Sequence, residues 1–230
     1  MTVNQLHRWN ITPQEAIEIQ KKLASLIILE NTTTDPVYVG GADISIKKFS
    51  NSATASITIL SYPGLELVDW SMVNGQITFP YIPGLLSFRE VPLLLNAWEC
   101  LSIKPDILLV DGQGIAHPRR MGLACHLGLL LDRPTIGCAK SRLIGECRTI
   151  PDTAGSWTEL YGDNSEIIGA VLCTKNNLRP LYVSPGYKIN LMSAINIILS
   201  CCRGHRIPEP LRLAHLLAGG NLKPASKNSF

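Results

Sequence analysis

PDILLVDGQGIAHPRRMGLACHLG, residues 105–128, decides how the chain folds. Asp106 to Val110 is a short, almost wholly apolar run, the pattern of a strand buried on both faces. It delivers Asp111 to the strand's C-terminal end, where Gly112-Gln113-Gly114 permits tight backbone approach and exposes N–H groups. Pro118 to Leu131 reads as a helix, and Pro134 to Cys138 as a second short strand. Strand, helix and strand in that order predict parallel pairing through a right-handed crossover. The C-terminal edge of such a sheet is where open α/β folds bind ligands. Asp111 is therefore the most informative single position.

Upstream lie three strand-like runs, Val37 to Ile46, Ala53 to Leu60 and Leu65 to Val73. Their connections, Ser50 to Ser52 and Pro63-Gly64, are short, which predicts antiparallel hairpins. A helix precedes them: Thr12, Pro13 and Glu15 supply an N-cap, an N1 proline and a capping-box acid, and Ala16, Ile19, Leu23 and Leu26 recur at helical spacing. Ser87 to Leu101 also reads as helix. Downstream, strands are expected at Ile167 to Thr174 and Leu181 to Ser184, and helices at Leu191 to Cys202 and Pro208 to Leu217. The sum is an α/β fold: a mixed β-sheet, its first three strands antiparallel, then a parallel βαβ unit, with helices on both faces. No linker-like composition divides residues 1–230, so they are expected to form one domain.

Composition narrows the class. The chain has 230 residues, 46% of them hydrophobic and 17% charged, which suits an ordinary globular domain rather than a disordered one. The net charge of +3 permits an anionic partner without demanding one. No apolar run approaches the roughly 20 residues that span a bilayer, and MTVNQLHRWN has no apolar signal core, so a cytoplasmic protein without a membrane partner is expected. The seven cysteines include an odd one and no CxxC pair, and read as reduced, buried small hydrophobes.

Three acids stand out. Asp43 lies in GADISI (41–46), in an otherwise apolar or small strand, behind two glycines that let another backbone or a ligand come close. Glu90 ends SFRE, and Asp111 ends ILLVD. A carboxylate set without a His/Cys ligand set suits hard cations such as Mg²⁺ or Mn²⁺. Two such ions can clamp the attacking and leaving oxygens of a phosphodiester. His215 in RLAHLLAGG could join from the last helix. Lys140 follows the strand TIGCA much as Asp111 follows ILLV, so both are expected at one edge, and with His117 to Arg120 and Arg142 it could bind backbone phosphates. Pro80 and Pro83 flank Tyr81 and Ile82 in a stiff loop, an apolar prow suited to wedging into a base stack. Each feature has a plainer reading as well. Asp43 could face outward, Glu90 could cap its own helix through Ser87, Asp111 could serve a turn, His215 could be structural, and the prolines could be a packed turn.

Four longer stretches, FPYIPGLLSFRE (79–90), PDILLVDGQGIAHPRRMGLACHLG (105–128), PTIGCAKSRL (134–143) and RIPEPLRLAH (206–215), resemble the endonuclease V family. The resemblance runs through roughly residues 12 to 218. It implies a ribonuclease-H-like fold, and Mg²⁺-dependent cleavage of the second phosphodiester 3′ to inosine, with DNA or RNA left open as the strand; a monomer is expected. It also implies that Asp43, Glu90 and Asp111 hold the metal, with His215 and Lys140 as further catalytic groups. Tyr81, Ile82 and Pro83 would form the wedge, and Gly84, Leu86, Gly112, His117 and Gly122 would shape the base pocket. Asp106 matches a family position of less certain role. Two positions depart from the family's usual pattern: Gln113, where His or Asn is more usual, and Tyr187, where SPGH is more usual than SPGY. Three rivals remain: another ribonuclease-H-like nuclease, structure-specific or RNA-directed; a non-catalytic binder of damaged nucleic acid; and a small-molecule phosphatase.

Overall fold

The computed structural model describes residues 3–33, 35–47 and 50–224. The first helix, α1 (Pro13–Ala24), forms as its capping box dictates: the Glu15 N–H donates to Thr12 Oγ1 at 3.2 Å and the Thr12 N–H donates to Glu15 Oε2 at 2.7 Å. It stops before Leu26, which is exposed, and buries Ala16, Gln20 and Leu23. Three strands follow, β1 (Tyr38–Ile46), β2 (Ser52–Ser61) and β3 (Leu67–Gln76), then α2 (Leu86–Glu99), β4 (Ile107–Val110), α3 (Leu123–Leu131) and β5 (Thr135–Ala139). The chain closes with β6 (Trp157–Tyr161), β7 (Ile167–Leu172), β8 (Leu181–Tyr187), α4 (Leu191–Ser200) and α5 (Glu209–Ala218).

The strands form one eight-stranded sheet in the order β3-β2-β1-β4-β5-β8-β7-β6. β1, β2 and β3 pair antiparallel and β4 pairs parallel with β5, as the sequence predicts, and β1 joins the two groups by pairing parallel with β4. β8, β7 and β6 then extend the sheet antiparallel. Helices cover both faces. On one, α2 and α3 bury Leu94, Trp98 and Leu127 against Ala42, Ile57, Leu108 and Val110. On the other, α4 and α5 bury Ile195, Ile198 and Leu211 against Val39, Leu109, Ile136 and Val183.

Gly41 explains how close α5 comes. A Cβ built there would lie 2.2 Å from the Pro210 carbonyl and 2.5 Å from the Leu211 nitrogen. Only a residue without a side chain lets the two backbones meet. Two buried hydroxyls fix the helix in that position: Ser56 Oγ donates to the Ala214 carbonyl at 2.6 Å, and Thr58 Oγ1 to the Pro210 carbonyl at 2.8 Å.

Three local expectations are corrected. The helix expected from Pro118 starts at Leu123, with Gly122 as its N-cap. His117 to Arg120 instead makes a turn, closed by the Arg120 N–H on the His117 carbonyl, with Arg120 at φ 54°. The Ser87–Glu90 capping box does not form. The α2 N-cap is Leu85, without a side-chain cap, and Ser87 Oγ is bonded to His126 Nδ1 at 3.0 Å. The edge strand β6 was not expected, because WTELY is short and set in polar sequence. All seven cysteines are outside disulfides, but only Cys125, Cys138, Cys173 and Cys201 are buried: Cys147 and Cys202 are half-buried, and Cys100, at the end of α2, is exposed. Among the described residues no helix is long and apolar enough to cross a membrane.

Candidate active site

Sheet register builds the centre. Ala42 pairs with Val110 across the parallel β1–β4 ladder, and the Asp111 N–H donates to the Ala42 carbonyl at 3.2 Å. Asp43 and Asp111 therefore leave adjacent strands at the same level and, by the alternation of strand side chains, on the same face. That face is the one α5 covers, and α5 brings His215: its Nδ1 lies 2.7 Å from Asp43 Oδ2. Asp43 is only 8% exposed, whereas the His215 side chain is 62% exposed. Lys140, just past β5, places its Nζ 2.5 Å from Asp111 Oδ2. Glu90 approaches from α2, which packs on the opposite face of the sheet.

The electrostatics match this convergence. Burial, then the charges of Asp43 and Asp111, push the Glu90 carboxyl up to about 8, against the pull of Arg89. Burial and the Asp111 charge also raise Asp43, opposed by the hydrogen bond from His215. Burial works against the Lys140 ammonium, but Asp111 and Asp43 outweigh it and raise its pKa. Three carboxyl groups thus share one edge with too little positive charge for all to ionise comfortably. Such an oxygen-only set fits a hard divalent cation. Among the described residues no three His, Cys, Asp or Glu groups close around an ion as they stand. The contacts of Asp111 with Lys140 and Asp43 with His215 occupy one oxygen of each acid.

Beside these acids opens a cavity of about 370 Å³. Its wall includes every residue expected to hold the base or the wedge, namely Tyr81, Ile82, Pro83, Gly84, Leu86, Gly112, His117 and Gly122. Asp111 and Lys140 line it too, so cavity and acids share a boundary. Tyr81 is 70% exposed and stands on the rim. Gly84 has φ +80°, a conformation other residues rarely adopt, which turns the prow so that its carbonyl faces His117. His117 Nε2 lies 2.9 Å from the Gly84 carbonyl, while its Nδ1 accepts from the Arg119 N–H at 3.2 Å. That pairing fixes the proton on Nε2. Burial lowers the His117 pKa to about 4, so the ring is neutral.

Other expected positions resolve differently. Asp106 is structural: its Oδ2 accepts from the Val37 and Tyr38 N–H groups at 2.8 and 2.9 Å, anchoring the start of β1. Tyr187 is buried away from the cavity, its hydroxyl 3.3 Å from Asp132 Oδ1. Gln113 does line the cavity, with its Nε2 donating to the Ser141 carbonyl at 3.0 Å. Sequence reasoning missed Gln20, Met121 and Ser141 as lining residues. Only Gln20 carried a signal, as the polar member of the helical stripe Ala16–Gln20–Leu23.

A carboxylate edge, a lysine and an imidazole on a mixed sheet with this strand order define a ribonuclease-H-like nuclease. The sequence profile of the endonuclease V family matches residues 21–216. The endonuclease V of Dehalococcoides mccartyi is 50% identical over 216 residues, covering 94% of this chain and 96% of that protein. That of Methanothrix thermoacetophila is 51% identical over 219 residues, covering 95% and 96%. Among solved structures, the endonuclease V of Bacillus subtilis superposes with a TM-score of 0.90 at 30% identity, covering 96% of each chain. The endonuclease V of Ciona intestinalis, solved with a 24mer DNA containing an inosine followed by a ribo-adenosine, gives 0.82 at 28% identity, covering 90% of this chain and 96% of that one. The chain belongs to the endonuclease V family, and so to the nucleases that hydrolyse phosphodiester bonds.

Proposed function

We propose that this protein is a Mg²⁺-dependent endonuclease, Mn²⁺ being able to substitute, that nicks DNA at the second phosphodiester 3′ to deoxyinosine, the product of adenine deamination. The observation that carries the reading is the shared boundary between a base-sized cavity and the carboxylate edge, through Asp111 and Lys140. The Ciona relative's complex with inosine-containing DNA supports the choice of base.

Hypoxanthine lacks guanine's 2-amino group and carries a carbonyl where adenine has an amine. A pocket walled by backbone at Gly84, Gly112 and Gly122 can read that edge once the base leaves the stack. Tyr81 and Ile82, stiffened by their prolines, fill the space it vacates. Asp43, Glu90 and Asp111 would hold the metal, which when bound supplies Lewis-acid stabilisation of the phosphate and a lowered pKa for the attacking water. Lys140 supplies positive charge at the phosphate beside Asp111. His215, fixed through Nδ1 on Asp43, presents its exposed ring to hold or pass a proton at Nε2.

The test is a nicking assay on matched DNA and RNA strands, each with one central inosine, with Mg²⁺ and with chelator, the product ends mapped to the nucleotide. A metal-dependent nick at the second linkage 3′ to inosine is expected, abolished by Asp111→Ala with strand binding retained. An inosine-independent nick would point instead to another ribonuclease-H-like nuclease. Binding without cleavage at any Mg²⁺ concentration would leave a pure binder.

A further inference from the structure

α1 buries one side chain that a simple amphipathic helix would not. Gln20 is 1% exposed and lies between Ala16 and Leu23 on the helix's inner stripe. An apolar residue would satisfy packing there, and a buried carboxamide costs about 2 kcal/mol or more unless every polar atom is paired. Gln20 is fully paired. Its Nε2 donates to the Gly84 carbonyl at 3.0 Å and to the Met121 carbonyl at 3.0 Å. Its Oε1 accepts from Arg119 Nε at 2.6 Å. These partners fix which end of the amide is nitrogen.

The two carbonyls belong to two separate segments of the cavity wall. Gly84 ends the proline-stiffened prow, and Met121 precedes Gly122, where α3 begins. Arg119 closes the ring, its second guanidinium nitrogen donating to the Gly84 carbonyl at 2.8 Å, beside His117 Nε2 at 2.9 Å. The carboxamide, with Arg119 and His117, therefore ties together two backbone segments that have no regular secondary structure of their own. Satisfied buried networks of this kind rigidify what they join.

We infer that Gln20 is a positioning residue for base selection, holding the two cavity walls at the width that admits hypoxanthine and excludes bulkier or differently edged bases. The inference rests on the inosine reading above. It places part of the discrimination on the N-terminal helix α1.

Gln20→Met keeps the length and removes all three hydrogen bonds. The ratio of kcat/KM on a strand with one central inosine to that on the same strand with adenine should fall about tenfold, the worth of one or two buried hydrogen bonds. The position of the nick should not change. Gln20→Glu keeps the Arg119 contact but sets a carboxylate against both carbonyls, and should lower the same ratio if Gln20→Met fails to fold. Arg119→Met should lower the ratio too, and the double variant should lose less than the two single losses combined, as expected of one network. A purely packing role would lower Tm and leave the inosine-to-adenine ratio at the wild-type value in both Gln20 variants, which overturns the inference while the inosine reading stands. A wild-type enzyme without inosine preference overturns that reading, and the inference with it.

Discussion

Gly41→Ala should disable the protein through one methyl group. The new Cβ would sit 2.2 Å from the Pro210 carbonyl, and ordinary contact begins near 3.4 Å, so the α5 backbone must retreat by about 1.2 Å. The obstacle is main chain against main chain, so no rotamer change relieves it. Overpacking of this kind costs about 1–3 kcal/mol, and the rigidity of both partners puts Gly41→Ala at the upper end. The hydroxyl bonds from Ser56 and Thr58 to α5 stretch with it. A retreat of that size also takes the 2.7 Å His215–Asp43 contact out of hydrogen-bonding range. Misplacement of a catalytic group by about 1 Å can cost about 100-fold in rate. Urea unfolding should show a loss of about 3 kcal/mol, and single-turnover nicking of an inosine strand a fall of about 100-fold. Gly40→Ala is the control: the atoms nearest its Cβ belong to the Leu108, Pro105 and Ile59 side chains at 2.9–3.2 Å and not to backbone, so a smaller loss of about 1 kcal/mol with near-normal rate is expected. Wild-type stability and turnover in Gly41→Ala would refute the account of how α5 is seated.

Three further outcomes are expected. The folded protein holds the Glu90 proton up to about pH 8 while the unfolded chain releases it near 4.5, so this group lowers stability progressively as pH rises between those values. Glu90→Gln should therefore raise Tm in chelator at pH 8–9 and give no gain near pH 4.5; a pH-independent difference would count against the acid cluster. His117 and His126 are held neutral, their values lowered to about 4 and about 3 mainly by burial, so each costs stability as pH falls below 6.5. In urea unfolding between pH 6 and 4, His126→Gln should gain on the wild type by about 1.4 kcal/mol for each pH unit of acidification; a pH-independent difference would count against a neutral buried ring. Tyr81→Ala removes an exposed side chain, so Tm should hold while inosine nicking falls severalfold; unchanged nicking would remove Tyr81 from the wedge.

How much was legible beforehand varies by position. Asp111 could be read from ILLVDGQG alone, because an apolar run that ends in an acid and glycine is local information. The antiparallel pairing of the first three strands and the parallel pairing of β4 with β5 could be read too, since short turns force antiparallel neighbours and a helical crossover parallel ones, but the place of β4 beside β1 and the antiparallel half β8-β7-β6 could not. The glycines before Asp43 signalled a close approach, and the structure supplies the approaching backbone, that of Pro210 and Leu211. Glu90 was ambiguous. Ser87-x-x-Glu90 spells a capping box, and only the packing of Ser87 on His126 and the inward turn of α2 decide against it. The start of α3 was misplaced because HPRR carries helix-compatible residues, whereas His117 is held by the Gly84 carbonyl, 33 residues away in sequence.

Hydrophobic period, turn chemistry and charge are written locally, so the sequence by itself determined most elements, β6 excepted, and the three acids, while the base-pocket residues followed from the family resemblance and Gln20, Met121 and Ser141 from neither. Tertiary structure alone decided that those acids meet. Parallel register sets Asp43 level with Asp111, α5 lowered onto Gly41 brings His215 to Asp43, and Gln20 joins two loops about 100 and 64 residues distant from it in the chain. These contacts depend on backbone positions held to within about an ångström, which happens only when both faces of the sheet are packed at once.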